Sequence, residues 1–348
     1  VKAAFHYGVR DIRTENTADV QEPGPGEALV EVTAVGVCGS DLHGYVFGDV
    51  GGIVNQQPLI LGHEAAGRII ALGPDAPDTM KVGQRVAIDP ATPCMLCERC
   101  EAGEPHLCLS LKFMGLWPYH GALRERMVHP TRCLFPMPDN ISDVGAAMLE
   151  PLGVALHGIR LANIRVGEDV AVIGCGAVGL LITRLARLNG ARRIFVADRL
   201  NWRLDIAANF GADHLINIDQ QDVVAEVMRL TNKRGVDVAI EAAWVEDTAN
   251  QCVLMARFGG RVVIMGIPAK DELKIQASAS RRKEVPIFYS RRMAHVYPTT
   301  SVLAHTGRVD VDALATHRFS LAQANDAFTM AADYQDGVIR AMICPTMK

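Results

Sequence analysis

From about Val154 onward the chain alternates short apolar runs with helix-like stretches, and few folds accept that alternation. Asp169–Ile173, Arg193–Ala197, His214–Ile218, Val236–Ile240 and Arg261–Met265 read as strands, and Ala177–Leu188, Asn201–Phe210, Gln221–Leu230 and Asp247–Arg257 as the helices between them. Parallel strands need long crossovers, and helices of this length supply them, so an α/β, doubly wound parallel sheet is expected. The turn after the first strand reads Gly174-Cys175-Gly176-Ala177-Val178-Gly179, a G-x-G-x-x-G spacing between strand and helix that suits a dinucleotide. The first glycine allows a tight turn, the second lets backbone approach a pyrophosphate, and the third lets helix pack on strand. Asp198 ends the second strand, where a carboxylate accepts hydrogen bonds from ribose hydroxyls and repels a 2′-phosphate. That favours NAD, although Arg199 directly follows and leaves NADP open. The candidate cofactor set is Gly174, Gly176, Ala177, Val178, Gly179, Asp198, Arg199 and Arg203.

At 348 residues the chain exceeds the size of a single core, and two domains are the expectation. From Val1 to about Glu150 the texture is different: β-rich runs (Ala28–Val37, Ala65–Leu72, Arg85–Ile88) between Gly/Pro turns, which suggest a small antiparallel barrel or sandwich. Residues 1–153 are read as one domain and 154–290 as the second. Residues 291–348 are too few to stand alone and are expected to return to the first. A formal net charge of −4 and scattered basic doublets argue against a nucleic-acid surface, and the longest apolar run is too short for a membrane span. Residues Val1–Asn16 hold no secretory apolar run, so the thiols read as reduced and the compartment as cytoplasmic.

Cys94, Cys97, Cys100 and Cys108 spell C-x2-C-x2-C-x7-C in one loop-like stretch. Four thiolates so close can close a tetrahedral zinc shell with no position left for substrate, so this site reads as structural, with a disulfide pair as the alternative. Any catalytic metal then lies elsewhere. Cys38 just past a predicted strand, and His63 and Glu64 at the entrance of another, form a second set, with Glu150 offering a further carboxylate before Pro151. Taken singly, each has an ordinary packing explanation. Together with the cysteine cluster and the glycine-rich turn they point to a catalytic metal separate from a structural one, two zincs per chain, alongside a dinucleotide site.

These motifs, with Gly62-His-Glu-Ala-Ala-Gly67, Cys38-Gly-Ser-Asp-Leu-His43 and Lys81-Val-Gly-Gln-Arg-Val86, make the chain resemble the zinc-dependent medium-chain dehydrogenases over nearly its whole length. The subgroup resembled is that of polyol (sorbitol/L-iditol 2-) and threonine dehydrogenases. The resemblance implies a GroES-like β-barrel catalytic domain bearing both zincs and a Rossmann domain binding the nicotinamide. It implies Ser40 and His43 as a proton relay, and Glu150 in place of the third-ligand cysteine of ordinary alcohol dehydrogenases. It also aligns Arg292 with a substrate-contacting arginine, but Met293 stands where sorbitol dehydrogenases carry tyrosine and Gly44 where they often do. The expected reaction is hydride transfer from a secondary alcohol of a polyol, cyclitol or sugar-derived substrate to NAD. L-threonine 3-dehydrogenase-type activity, a sugar acid or a sugar phosphate are alternatives. A non-catalytic NAD-binding protein with structural zinc is a rival that the retained Cys38, His63 and Glu64 disfavour. Phe47 to Gln56 reads as an active-site loop. A homo-oligomer, tetramer or dimer, follows from the resemblance, with Arg261–Met265 and the segment Ile267–Leu273 as candidates to pair across a dimer.

Overall fold

The strand Glu27–Gly36 turns Ala28, Val30, Val32 and Ala34 inward while the residues between them stay partly exposed, the period of two of a sheet with one wet face. It belongs to the first of two units in the computed structural model, which describes residues 1–348 other than 51, 52, 55–57, 244, 246, 269–271 and 348. The units are Val1–Glu150 with Ala294–Lys348, and Pro151–Met293. Gly51, Gly52, Asn55 and Gln56 of the expected active-site loop lie outside the described residues.

The first unit carries a seven-stranded sheet in the order Leu134–Pro136, Arg85–Ile88, Glu64–Leu72, Glu27–Gly36, Ala341–Cys344, His317–Ser320, with Arg126–Pro130 also paired to Glu27–Gly36. Glu27–Gly36 and Glu64–Leu72 run antiparallel with Gly36 opposite Glu64 and Val35 opposite Ala65. The last strand returns to the same sheet, setting Met342 opposite Gly36 and Ile343 opposite Val35. A hairpin of Lys2–Gly8 and Asp11–Asn16, joined by Leu59–Ile60, forms a separate three-stranded sheet. Its Ala3, Ala4 and Ile12 share one core with Val30, Val32, Ile69, Val86 and Ile88.

The second unit is a six-stranded, wholly parallel sheet. Its order is His214–Asn217, Arg193–Asp198, Asp169–Ile173, Val236–Glu241, Ala256–Ile264, Ile287–Tyr289. Asp169–Ile173 is buried at every position, as a central strand covered on both faces must be. Local chemistry sets the helix ends. Asp222 accepts the Ala225 N–H at 2.8 Å to open the helix Val223–Leu230. Lys283 donates to the carbonyls of Val253, Leu254 and Ala256, two of them from the last turn of the helix Thr248–Met255. The strand Ala256–Ile264, which takes in Arg261–Ile264, is paired on both flanks, so the expectation that it pairs across a dimer fails, and residues 269–271 of the companion segment lie outside the described residues. One edge of the sheet is His214–Asn217 and the other Ile287–Tyr289, a three-residue strand too short to announce itself by periodicity. Among the described residues no helix is long and apolar enough to cross a membrane.

Strands of this parallel sheet begin with a charge lattice. Asp169, fully buried, pairs with Arg192 at 2.7 Å and Arg193 at 2.6 Å. Asp237 pairs with Arg234 at 2.7 Å and Arg257 at 2.5 Å, and accepts the Asp169 N–H at 2.9 Å. Burial works against the Asp237 charge, but the two guanidiniums outweigh it and hold its carboxyl well below the usual carboxylate range. Asp237→Asn removes the charge that both partly exposed arginines pair with and should cost roughly 1–2 kcal/mol of unfolding free energy at pH 7 in urea titrations. A depressed native pKa gives stability that is full above the unfolded value and lost as pH falls toward the native one. The gap between parent and variant should therefore hold down to about pH 4 and narrow below it; an unchanged gap at lower pH would exclude this origin.

Candidate metal and dinucleotide sites

Cys38 and His63 meet because of strand register. Cys38 lies two residues beyond the strand Glu27–Gly36, and His63 immediately precedes Glu64–Leu72. Pairing Gly36 with Glu64 brings the exit of one strand to the entrance of the other. Ligand atoms of Cys38, His63 and Glu64 lie within 4.8 Å of one another. The register also demands that residue 36 be glycine, since a Cβ there would collide with the Glu64 carboxylate.

Asp41 holds the two donors in place. Cys38 caps the helix Gly39–Phe47, and Asp41, three residues on, accepts the Cys38 N–H through Oδ2 at 3.2 Å in a capping box. Its Oδ1 sits 3.3 Å from Nδ1 of His63. A proton on Nδ1 directed at this carboxylate leaves Nε2 unprotonated, its lone pair free to ligate a metal, the arrangement that orients metal-bound histidines. Ser40 Oγ stands 3.5 Å from that Nε2, and the Phe113 ring lies against the imidazole at 5.2 Å between centroids. His43, on the same helix and 4 % exposed, contacts Phe47, and burial keeps its pKa below the ordinary histidine value.

The surroundings are made for a cation. Glu64 is fully buried, and both its carboxylate oxygens lack a hydrogen bond, although Arg340 approaches Oε1 at 3.3 Å. Burial opposes the charge on Arg340, but Glu64, Cys38, Glu150 and Asp41 together outweigh it and raise its pKa. The same balance acts on His63: burial penalises the imidazolium, yet Asp41 and Cys38 hold its pKa well above the ordinary value. Glu64 faces the Arg340 guanidinium, Asp41 and Glu150 add their negative charge to its surroundings, and the Cys, His and carboxylate donors fit a divalent metal. Glu150 is buried close enough to act electrostatically on Arg340 and Tyr297, but among the described residues it is outside the group in mutual ligand distance. Asp41 and Arg340 went unassigned in the sequence. The three-residue spacing from Cys38 was a legible signal for Asp41; nothing local marks Arg340.

The four cysteines also converge, with all sulfurs within 4.8 Å. Cys94 and Cys108 sulfurs are 3.5 Å apart and those of Cys97 and Cys100 3.6 Å, against about 3.8 Å across a tetrahedral zinc–thiolate shell. All nine cysteines are free thiols, so no disulfide competes. Backbone N–H groups point at sulfur: Cys94 to Cys108 at 3.2 Å and Leu96 to Cys94 at 3.5 Å. The Leu109 amide, followed by that of Cys100, brings Cys97 down to about 6, while burial pushes Cys100 up to about 12. Gathering four thiolates here therefore needs a cation.

In the second unit the glycine-rich turn leaves a gap. Gly174 has φ +100°, and a Cβ on it would sit 2.7 Å from the Ala242 carbonyl oxygen. A Cβ on Gly179 would strike the Gly174 carbonyl, whereas one on Gly176 would meet nothing within 4 Å. Gly176 caps the helix Ala177–Leu188, so this open face adjoins unsatisfied N–H groups at a positive dipole end, next to Ala177 and Val178. Asp198 ties the turn to the second strand, accepting from Cys175 N–H at 2.7 Å and Leu200 N–H at 3.0 Å. Arg199 is mostly exposed in a 3.7 Å pair with Asp219, and the Arg203 guanidinium lies over the Trp202 ring at 5.1 Å. Arg292 falls at the end of this unit with left-handed backbone (φ 58°).

Residues 24–139 match the alcohol dehydrogenase GroES-like domain and residues 177–305 the zinc-binding dehydrogenase domain. The chain belongs to the zinc-dependent medium-chain dehydrogenases. Sorbitol dehydrogenase of Bacillus subtilis is 36 % identical over 345 residues, 99 % of this chain and 97 % of the relative. L-idonate 5-dehydrogenase of Vitis vinifera is 34 % identical over 336 residues, 95 % and 91 % of the two chains. Such relatives put it in the polyol dehydrogenase subgroup. An Escherichia coli CFT073 alcohol dehydrogenase solved with NADH superposes with a TM-score of 0.89 at 28 % identity, covering 99 % of this chain and 98 % of that one.

Removing the orienting carboxylate tests the metal group. Asp41→Asn keeps the size but not the charge, and should weaken zinc at Cys38 and His63 by about 10- to 100-fold. Metal analysis after mild chelation should then fall from two zincs per chain to one, the four-cysteine site keeping its own. Loss of both metals, or of neither, would refute this assignment.

Proposed function

We propose that this chain oxidises a secondary alcohol of a polyol or sugar-derived small molecule, using NAD and a catalytic zinc. The observation that carries the reading is the convergence of Cys38, His63 and Glu64 within 4.8 Å amid buried negative charge. When bound, zinc supplies Lewis-acid polarisation of an alcohol oxygen and NAD supplies the hydride acceptor. Cys38 and His63 are the donors, with Glu64 and Glu150 as the neighbouring carboxylates and Cys94, Cys97, Cys100 and Cys108 as a separate structural set. Asp41 keeps the His63 proton on Nδ1. Ser40 Oγ, 3.5 Å from His63 Nε2, would take the substrate hydroxyl proton as it gives up its own to His43, whose imidazole burial biases toward the neutral form that can accept it.

The open face at Gly176 and the carboxylate of Asp198 support NAD in preference to NADP, with Arg199 and Arg203 beside the adenosine end. Arg292 is the proposed substrate contact. The domain reading is a catalytic unit of residues 1–153 with 291–348 and a dinucleotide unit of 154–290. Nine unpaired thiols support a reducing, cytoplasmic setting. The exposed edge strand Ile287–Tyr289, with Tyr289 63 % exposed, supports a homo-oligomer; a clean monomer in light scattering would remove that part.

Zinc-loaded protein should reduce NAD faster than NADP when offered polyols, cyclitols, aldonates, sugar phosphates and L-threonine, with the hydroxyl-rich substrates leading. Threonine in the lead would overturn the substrate class, and no turnover across the panel the enzymatic reading. In the same assay Glu150→Ala should lower turnover more than tenfold while NADH affinity stays put. Undiminished turnover would leave Glu150 as no more than a helix-start residue.

A further inference from the structure

The second unit holds a buried carboxylate that no part of the proposed chemistry uses. Glu241 is the last residue of the strand Val236–Glu241 and only 3 % exposed. Strand register sets it level with Ile173 on one side and Ile264 on the other. It thus stands at the carboxyl ends of three adjacent central strands. Chain order reverses between Asp169–Ile173 and Val236–Glu241, and in open parallel sheets ligands bind in the crevice outside such a reversal.

The hydrogen bonds of Glu241 reach two different loops. Oε1 accepts from the Ala243 N–H at 2.7 Å and the Thr248 hydroxyl at 2.9 Å, both in the segment after its own strand. Oε2 accepts from the Gly266 N–H at 3.0 Å, just past the next strand. Backbone bonds complete the frame: Ala242 N–H to the Ile173 carbonyl at 2.8 Å, and Met265 N–H to the Glu241 carbonyl at 2.9 Å. The glycine-rich turn packs against this frame, since the missing Cβ of Gly174 is what keeps it clear of the Ala242 carbonyl and Ala243 Cα. A carboxylate is an acceptor at both oxygens and meets donors from both loops at once, whereas an amide must turn its NH2 toward one of them.

We infer that Glu241 is a positioning residue for the dinucleotide: its carboxylate ties together the two loops that pack beside the glycine-rich turn at the carboxyl ends of the central strands. This rests on the dinucleotide reading above. Loss of the tie lets the Ala243 and Gly266 segments move independently, so the cofactor meets loops that are no longer set for it.

The test is NADH binding to the full-length zinc-loaded protein, read by fluorescence titration, with amide hydrogen exchange at Ala243 and Gly266. Glu241→Ala should raise the NADH Kd by roughly tenfold or more and deprotect both amides. Glu241→Gln should restore one side of the tie and bind with an intermediate Kd. Val238→Ala, in the same strand but away from its end, should lower the thermal midpoint and leave the Kd alone. If the alanine variant does not fold, the glutamine variant carries the comparison by itself, and its Kd must exceed the parent's. Variants that bind NADH like the parent despite a lowered thermal midpoint would reduce Glu241 to a stability residue. A parent that binds no dinucleotide would remove the underlying reading, and this inference with it.

Discussion

Much of this structure turns on concentrating negative charge where water is scarce. Cys38, Asp41, Glu64 and Glu150 are drawn together in the first unit, and Arg340 is the guanidinium set among them. Such an arrangement is costly unless cations are supplied at the right places. Arg340 is one, delivered only because the final strand comes back to lie beside Glu27–Gly36. A divalent ion is the other that the donors suit. The discontinuous first unit is thus an electrostatic requirement as well as a topological one.

Asp41 shows how little separates local structure from chemistry. A capping box is an ordinary way to start a helix, satisfying an N–H that the first turn leaves over. Here the same carboxylate also faces Nδ1 of His63, so the helix start and the histidine orientation are fixed together. The glycine-rich turn behaves in parallel fashion: Asp198, the last residue of its strand, holds both the Cys175 and the Leu200 amides.

What could be read from the sequence follows from range. The parallel sheet was legible because its strands carry apolar stretches such as Val170–Ile173 and Ile194–Ala197 and the helices between them are long enough to be seen; Ala177–Leu188 is legible to the residue. The four-cysteine lobe and the glycine-rich turn were legible because their parts are close together in the chain. The hairpin Lys2–Gly8 with Asp11–Asn16 escaped notice, since its charged and aromatic residues hide the alternation. The strands Ile287–Tyr289 and His317–Ser320 are too short for a period to emerge. Arg340 and Glu241 could not be found at all, because their meaning lies in what they touch: one meets a residue nearly three hundred positions earlier, the other joins loops from two strands. The dimer strand was misjudged because edge and interior strands look alike until pairing is known.

The two metal groups differ in how much of the chain they need. Cys94 to Cys108 are neighbours, and closing so short a loop costs little entropy. That lobe can gather its thiols as soon as those residues exist. The group at Cys38, His63 and Glu64 has its first donors early, but its balancing guanidinium arrives at position 340. During synthesis on a ribosome, one pocket can fill once residue 108 has emerged, whereas the other stays electrostatically unfinished until residue 340 has followed.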